Sequence, residues 1–311
     1  MGILQFDSRK NYFDGCGTEI TGAQKTDVVL KLAGLDYTVS KEPLMFTDGT
    51  IAEGCFANRR NDTGKVLGPV GARYEVLQNY EAFDFLDSFV DNGAEFVNAG
   101  CIQDGKKTYI VAKTEPMKIL GDEFDPYILF TNSFDGTTGI QAMFTPIRVF
   151  CSNCFVAATK QAHHKITIKH SKSMKDKLMI ARDTMLENTK YLDYLKEKSE
   201  QLAVTKFTAE QFESVIEELL PIKADCTDGI RERQEMFRDA LRVAYSQEDL
   251  QNYNGTAYKA IMAVSDVDSH KAPARNTGNP FVQFTRILGG MEMLNQAGKA
   301  IAKRIGVSSL F

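Results

Sequence analysis

The sequence predicts an α+β fold: an antiparallel sheet with one early packed helix, followed by a helical C-terminal half. Three observations predict it. Two Asp-Gly hairpin turns lie in the middle third, the apolar period switches from strand-like to helical after Ser171, and a capping box at Thr208 opens a later apolar run.

Taken in order, residues 1–36 carry Gly and polar residues with little periodicity, and predict a loosely attached arm with one short helix in TDVVLKLAGL. Strand signals begin at DYTVSKEPLMF, so residues 37–172 are expected to form the sheet domain. GKVLGPVGARYEVLQN reads as strands around a Gly-Pro turn. In NYEAFDFLDSFVDNG, Asn79 is placed to cap a helix whose apolar face is Ala82, Phe83, Leu86, Phe89 and Val90, and Gly93 ends it. The hairpins EFVNAGCIQDGKKTYIVAKTEP and PYILFTNSFDGTTGIQAMFTPIRVF turn at Asp104-Gly105 and Asp135-Gly136, where tight turns need positive backbone angles. KITIKHS then alternates, with Ile166 and Ile168 on one face and Lys165, Thr167 and Lys169 on the other.

Residues 173–311 are expected to be helical and packed on the sheet as one continuous domain. Apolar steps of three and four from Met174 to Leu202 predict a long helix that packs within the chain or joins two copies. TAEQFESVIEELLP, TDGIRERQEMFRDALRVAY, NGTAYKAIMAVSDVDSH and NPFVQFTRILGGMEMLNQAGKAIAKRIG read as further helices, and HKAPARNTGNP as a loop.

Composition bounds the function. A chain of 311 residues can bury a core without metal or disulfide support. No apolar run is long enough for a membrane span, no export signal opens the chain, and Phe6 stands where an acylated Gly2 would need Ser or Thr. The expectation is a cytoplasmic protein with reduced thiols and no membrane partner. The net charge is -4, yet of 37 basic and 41 acidic residues, seven basic and one acidic fall between Lys160 and Arg182. That basic island favours an anionic partner; a solvated helix start is the plainer alternative.

The densest chemistry is CSNCFVAATKQAHHKITIKHSK, residues 151–172. Cys151 and Cys154 have the spacing of half a zinc site, but no second pair exists, and two buried thiols explain them more simply. A Cys nucleophile with a His base is a further option that sequence does not place. Asp266, Asp268 and His270 could hold a divalent ion for hydrolysis, or serve as cap and turn residues. GPVGARY lacks the Lys-Ser/Thr of a phosphate loop. No cofactor is expected. What remains is a cationic strand and helix start. Arg148, Lys165, Lys169, Lys172 and Lys175 form an expected phosphate track, with Tyr109 a candidate for base stacking.

GARYEVLQNYEAFDFLDSFVDNGAEFVNAGCIQDGKKTYIVAKTE, YILFTNSFDGTTGIQAMFTPIRVFCSNCFVAA, ITIKHSKSMKDKLMIA and GTAYKAIMAVSDVDSH resemble, in order, the blocks of a phage- and plasmid-related family of unknown function, domain of unknown function 932. The resemblance spans about residues 40–300. Its pattern falls on Arg73, Tyr74, Gln78, Asn79, Asn132, Asp135, Gly136, Arg148, Cys151, Asn153 and His170; Cys154 stands where the family more often has Thr, and His163 and His164 match no motif position. The resemblance implies a mobile-element setting, and the element order is similar to the core of single-strand annealing proteins. The expected function is a non-enzymatic, oligomeric single-stranded nucleic acid binding protein, of the annealing or recombination kind. A metal-dependent hydrolase of nucleic acid or nucleotide and a protein-binding counter-defence factor are the alternatives.

Overall fold

The computed structural model describes residues 17–148, 165–186, 189–271, 292–308 and 310, and it is α+β. Strand β1 (Thr18–Glu19) and helix α1 (Thr26–Leu32) precede a three-stranded antiparallel sheet of β2 (Val39–Met45), β3 (Ile51–Arg60) and β4 (Val66–Gly71). The segment expected as a loose arm is anchored over its described part. β1 pairs with a strand of the main sheet, and Ile20, Val29, Leu30 and Leu35 are buried in the core.

β4 runs straight through Gly68 and Pro69, where a turn was expected. It is an outer strand among the described residues, and an outer strand tolerates a missing amide. Gly68 has a packing role instead: a Cβ there would come within 2.8 Å of the Asp135 main chain. That close approach docks the small sheet on the main one.

The expected single helix after Gln78 is α2 (Asn79–Phe83), a 3₁₀ turn (Asp84–Leu86) and α3 (Asp87–Val90). Gln78, not Asn79, is its N-cap, in a reciprocal box with Glu81. Asn79 is buried, and its side chain is used elsewhere. The apolar face is as expected, with Ala82, Phe83, Leu86 and Phe89 buried and Phe83 edge-on to Phe130 at 5.4 Å.

The main sheet has the order β1-β5-β6-β8-β9-β10, with β7 paired to β8. Its remaining strands are β5 (Glu95–Ile102), β6 (Lys107–Lys113), β7 (Met117–Ile119), β8 (Asp122–Ser133), β9 (Ile140–Arg148) and β10 (Lys165–Ile168). Both Asp-Gly turns are present, with Asp104, Gly105 and Gly136 at positive φ. β6 and β8 are buried on both faces along most of their length, so the sheet is an inner layer.

The long helix expected after Ser171 is α4 (Met174–Leu186) and α5 (Thr189–Val204), with 187–188 outside the described residues. The described seam positions Met174, Leu178, Ala181, Leu195, Ser199 and Leu202 are buried within the chain. α6 (Ala209–Leu219) opens with the expected Thr208–Gln211 box. α7 (Asp228–Tyr245), α8 (Ala257–Asp266) and α9 (Glu292–Ile305) follow, and all ten residues of α8 are buried. α8 is thus the centre of the helical half, and Tyr253 ties that half to the sheet by donating to the Leu120 carbonyl at 3.0 Å. No described helix is long and apolar enough to cross a membrane.

Candidate nucleic-acid interface

The residues of interest gather where the loop after β4 meets the loop between β10 and α4. Lys41 holds the first loop by donating to the carbonyls of Ala72 at 2.7 Å and Tyr74 at 2.8 Å, with its ammonium 4.5 Å from the Phe56 ring centre. The Tyr74 hydroxyl donates to the Ser133 carbonyl at 2.7 Å, and burial raises that phenol well above its ordinary pKa. The Tyr74 ring lies on the His170 imidazole, centres 4.6 Å apart and planes within 20°. Beside the stack, the Glu75 amide donates to the His170 carbonyl at 3.4 Å.

His170 is 8% exposed, and among the described residues neither ring nitrogen finds a hydrogen-bond partner. Burial pushes its pKa down to about 4, while the Glu75 main chain and the Asp135 carboxylate pull weakly the other way. Asp135 sits in the β8–β9 turn. Its own burial would raise it, but the Thr137 hydroxyl and amide, the Ser133 hydroxyl and the Lys107 ammonium outweigh this and hold it below the usual carboxylate range.

A buried polar seam backs this corner. Asn79 donates to the Leu35 carbonyl at 2.9 Å and accepts from Thr108 at 2.9 Å; Asn132 donates to the Leu77 carbonyl at 2.9 Å, and Asn58 to that of Phe134 at 2.7 Å. Gln78 exchanges two 2.9 Å bonds with the Val39 main chain, as a neighbouring strand would. Buried amides of this kind are costly unless satisfied, so they fix which segments meet. Six positions singled out by the resemblance, Tyr74, Gln78, Asn79, Asn132, Asp135 and His170, therefore share one corner.

Three cations stand on its surface. Arg73, Lys169 and Lys172 are exposed, and no ion pair engages them among the described residues. Lys175 is exposed but pairs with Glu81 at 2.6 Å, which raises its pKa. Arg148 and Lys165 are described in their backbone only. Register places Arg148 apart from Lys169 and Lys172: Ile168 faces Ile140, and eight residues of β9 lead from there to Arg148, about 26 Å at strand rise. Arg73, Lys169 and Lys172 are thus the expected or neighbouring cations whose exposed side chains are described at this corner with no ion pair.

Tyr109 does not present a face for stacking. It is fully buried, in a slot kept open by Gly17 and Gly100, where a Cβ on Gly100 would come within 2.8 Å of its hydroxyl. The exposed aromatic on this side is Tyr80, 58% accessible, which lines a groove of about 780 Å³ with Lys175, Met179 and Arg182 on one wall and Asp84, Asp87 and Asp91 on the other. Sequence reasoning missed it; the signal was that Tyr80 falls outside the apolar stripe.

The hydrolytic alternative finds structural uses for its carboxylates. Asp268 accepts the Leu294 amide at 3.0 Å, which caps α9, and Asp266 accepts from Gln247 at 3.5 Å. Among the described residues no three His, Cys, Asp or Glu side chains are gathered to hold a metal. Asn153, Cys151, Cys154, His163 and His164 lie outside the described residues, as does the side chain of His270.

A family model described as a domain of unknown function, DUF932, matches residues 66–287. The chain belongs to the DUF932 family. The match takes in Arg73, Tyr74, Tyr80, His170 and Lys172, so the ring stack and its cations lie inside the DUF932 region, while Lys41 and Asn58, which support them, lie before it. No curated protein and no solved structure matches this DUF932 chain.

Proposed function

We propose that this DUF932 protein binds single-stranded nucleic acid through the face carrying Arg73, Lys169 and Lys172, with Tyr80 offering a ring to an unpaired base. One observation carries the reading. Two loops far apart in sequence are joined by the Tyr74–His170 stack, one carrying Arg73 and the other Lys169 and Lys172, all exposed and without an ion pair among the described residues. Such cations neutralise phosphates by releasing counterions, and aromatic faces stack on any base. The acidic wall at Asp84, Asp87 and Asp91 keeps the backbone of the strand on the side of α4. Annealing or recombination in a mobile-element setting, a cytoplasmic location and self-association belong to the same proposal. The exposed Met179 and Ile180 of α4 offer apolar area for a second copy.

The test is titration of a labelled oligonucleotide at low salt, then across a salt series. Replacing Lys172 by Ala should lower the salt slope by about 0.7 and weaken all sequences alike. Absence of any single-strand affinity at low salt removes the proposal. Sedimentation velocity at two concentrations decides self-association.

A further inference from the structure

We propose that His170 is the positioning residue of this cationic face, and that proton uptake by its ring releases the face and weakens binding. The inference rests on the single-strand reading above and adds what holds the cations together and what turns binding off. Lys169 and Lys172 flank His170 on one loop; Arg73 adjoins Tyr74 on the other. Between the loops themselves the described joins are a ring stack and one 3.4 Å main-chain bond, and the exposed Lys175–Glu81 pair ties only the helices that follow them. If the stack opens, Arg73 parts from the two lysines.

The stack suits a neutral imidazole. A charged ring buried without a full partner is costly, and among the described residues the groups beside it are drawn largely to other partners. From the loop before α2, the Tyr74 hydroxyl is given to Ser133. From the β8–β9 turn, the Asp135 carboxylate already takes Ser133 and Thr137 and faces Lys107 of β6 at 3.9 Å. The Glu75 main chain favours the proton, but by less than burial opposes it. A protonated ring therefore gains by leaving for water, and Lys169 and Lys172 leave with it. Acid ordinarily strengthens binding to polyanions, because the protein gains positive charge. Here it does the reverse.

The experiment compares wild type, His170→Phe and His170→Ala by fluorescence anisotropy with oligothymidylate, whose bases do not titrate near pH 4. At pH 7.5, wild type and His170→Phe should share one affinity and one salt slope, while His170→Ala loses about 1.4 units of slope as two phosphate contacts drop away. At pH 4, about half the rings take a proton, so wild type should bind at least about twofold more weakly than His170→Phe. Hydrogen exchange over residues 166–178 adds an arm that needs no ligand: protection is lost at pH 4 in wild type and kept in His170→Phe. Retention of the full slope by His170→Ala, or acid behaviour shared by wild type and His170→Phe in both measurements, overturns the proposal. If no variant binds the oligonucleotide, the single-strand reading falls and the exchange arm still decides the role of His170.

Discussion

Acid should destabilise the fold through His170, and His170→Phe should remove that sensitivity. The imidazole has a pKa of about 4 when folded against an ordinary value of 6.5, and burial is the main cause. The unfolded chain therefore holds the proton more readily than the folded one between those values. The stabilisation is complete above about pH 6.5 and is lost as pH falls through about 4. At about 1.4 kcal/mol per unit, the loss approaches 3 kcal/mol, a large share of the stability of a domain this size. Phenylalanine preserves a ring on Tyr74, carries no proton and deletes two nitrogens that find no hydrogen-bond partner among the described residues, so the variant should be at least as stable at pH 7. Urea unfolding at half-unit steps from pH 7 to 4 measures the difference between the two proteins, and carboxylates common to both cancel. A difference that stays flat within about 0.5 kcal/mol over that range would refute the assignment of a buried neutral ring.

Tyr80→Ala should weaken oligonucleotide binding by about 1–3 kcal/mol with the salt slope unchanged, because stacking releases no counterions; a changed slope would assign Tyr80 to phosphate contact instead. Gly68→Ala should cost about 1–3 kcal/mol by driving a methyl into the Asp135 main chain, read as a lowered urea midpoint. Asp268→Ala should cost about 1 kcal/mol by uncapping α9 and leave oligonucleotide affinity as it was; loss of binding alongside normal stability would contradict the capping role.

Much of the fold was legible because local chemistry and tertiary structure agree. Asp104-Gly105 and Asp135-Gly136 turn where Asp-Gly should, and Thr208 with Gln211 caps α6 as its spacing requires. Where they disagree, a distant contact decides. Gly68-Pro69 looks like a turn, yet the space that Gly68 leaves is filled by a loop more than sixty residues away. Asn79 is a good cap by type, but Thr108 and Leu35 claim its side chain, and Gln78 takes the capping role. The candidate site divides the same way. Lys169, Lys172 and Lys175 were visible as a cationic face, because strand alternation and a helix start group them, and the structure exposes them. Tyr109 was misplaced because a strand tyrosine carries no sign of the glycine slot that buries it. For Arg148, register along β9, not proximity in sequence, sets its distance from Lys169.

The contacts that build this corner also set when it can form. Asn58 reaches Phe134 across 76 positions, Tyr74 reaches Ser133 across 59, and the Tyr74 ring waits for a histidine further along still. Closing such long loops before any local reward arrives is slow, and synthesis delivers the partners in order, N-terminal side first. The small sheet and its loop thus leave the ribosome early with one side unmatched, and dock only when the β8–β9 turn follows. The segment carrying His170 comes last. A nascent chain stopped before it should already hold most of its strands, yet lack the surface that gathers phosphate.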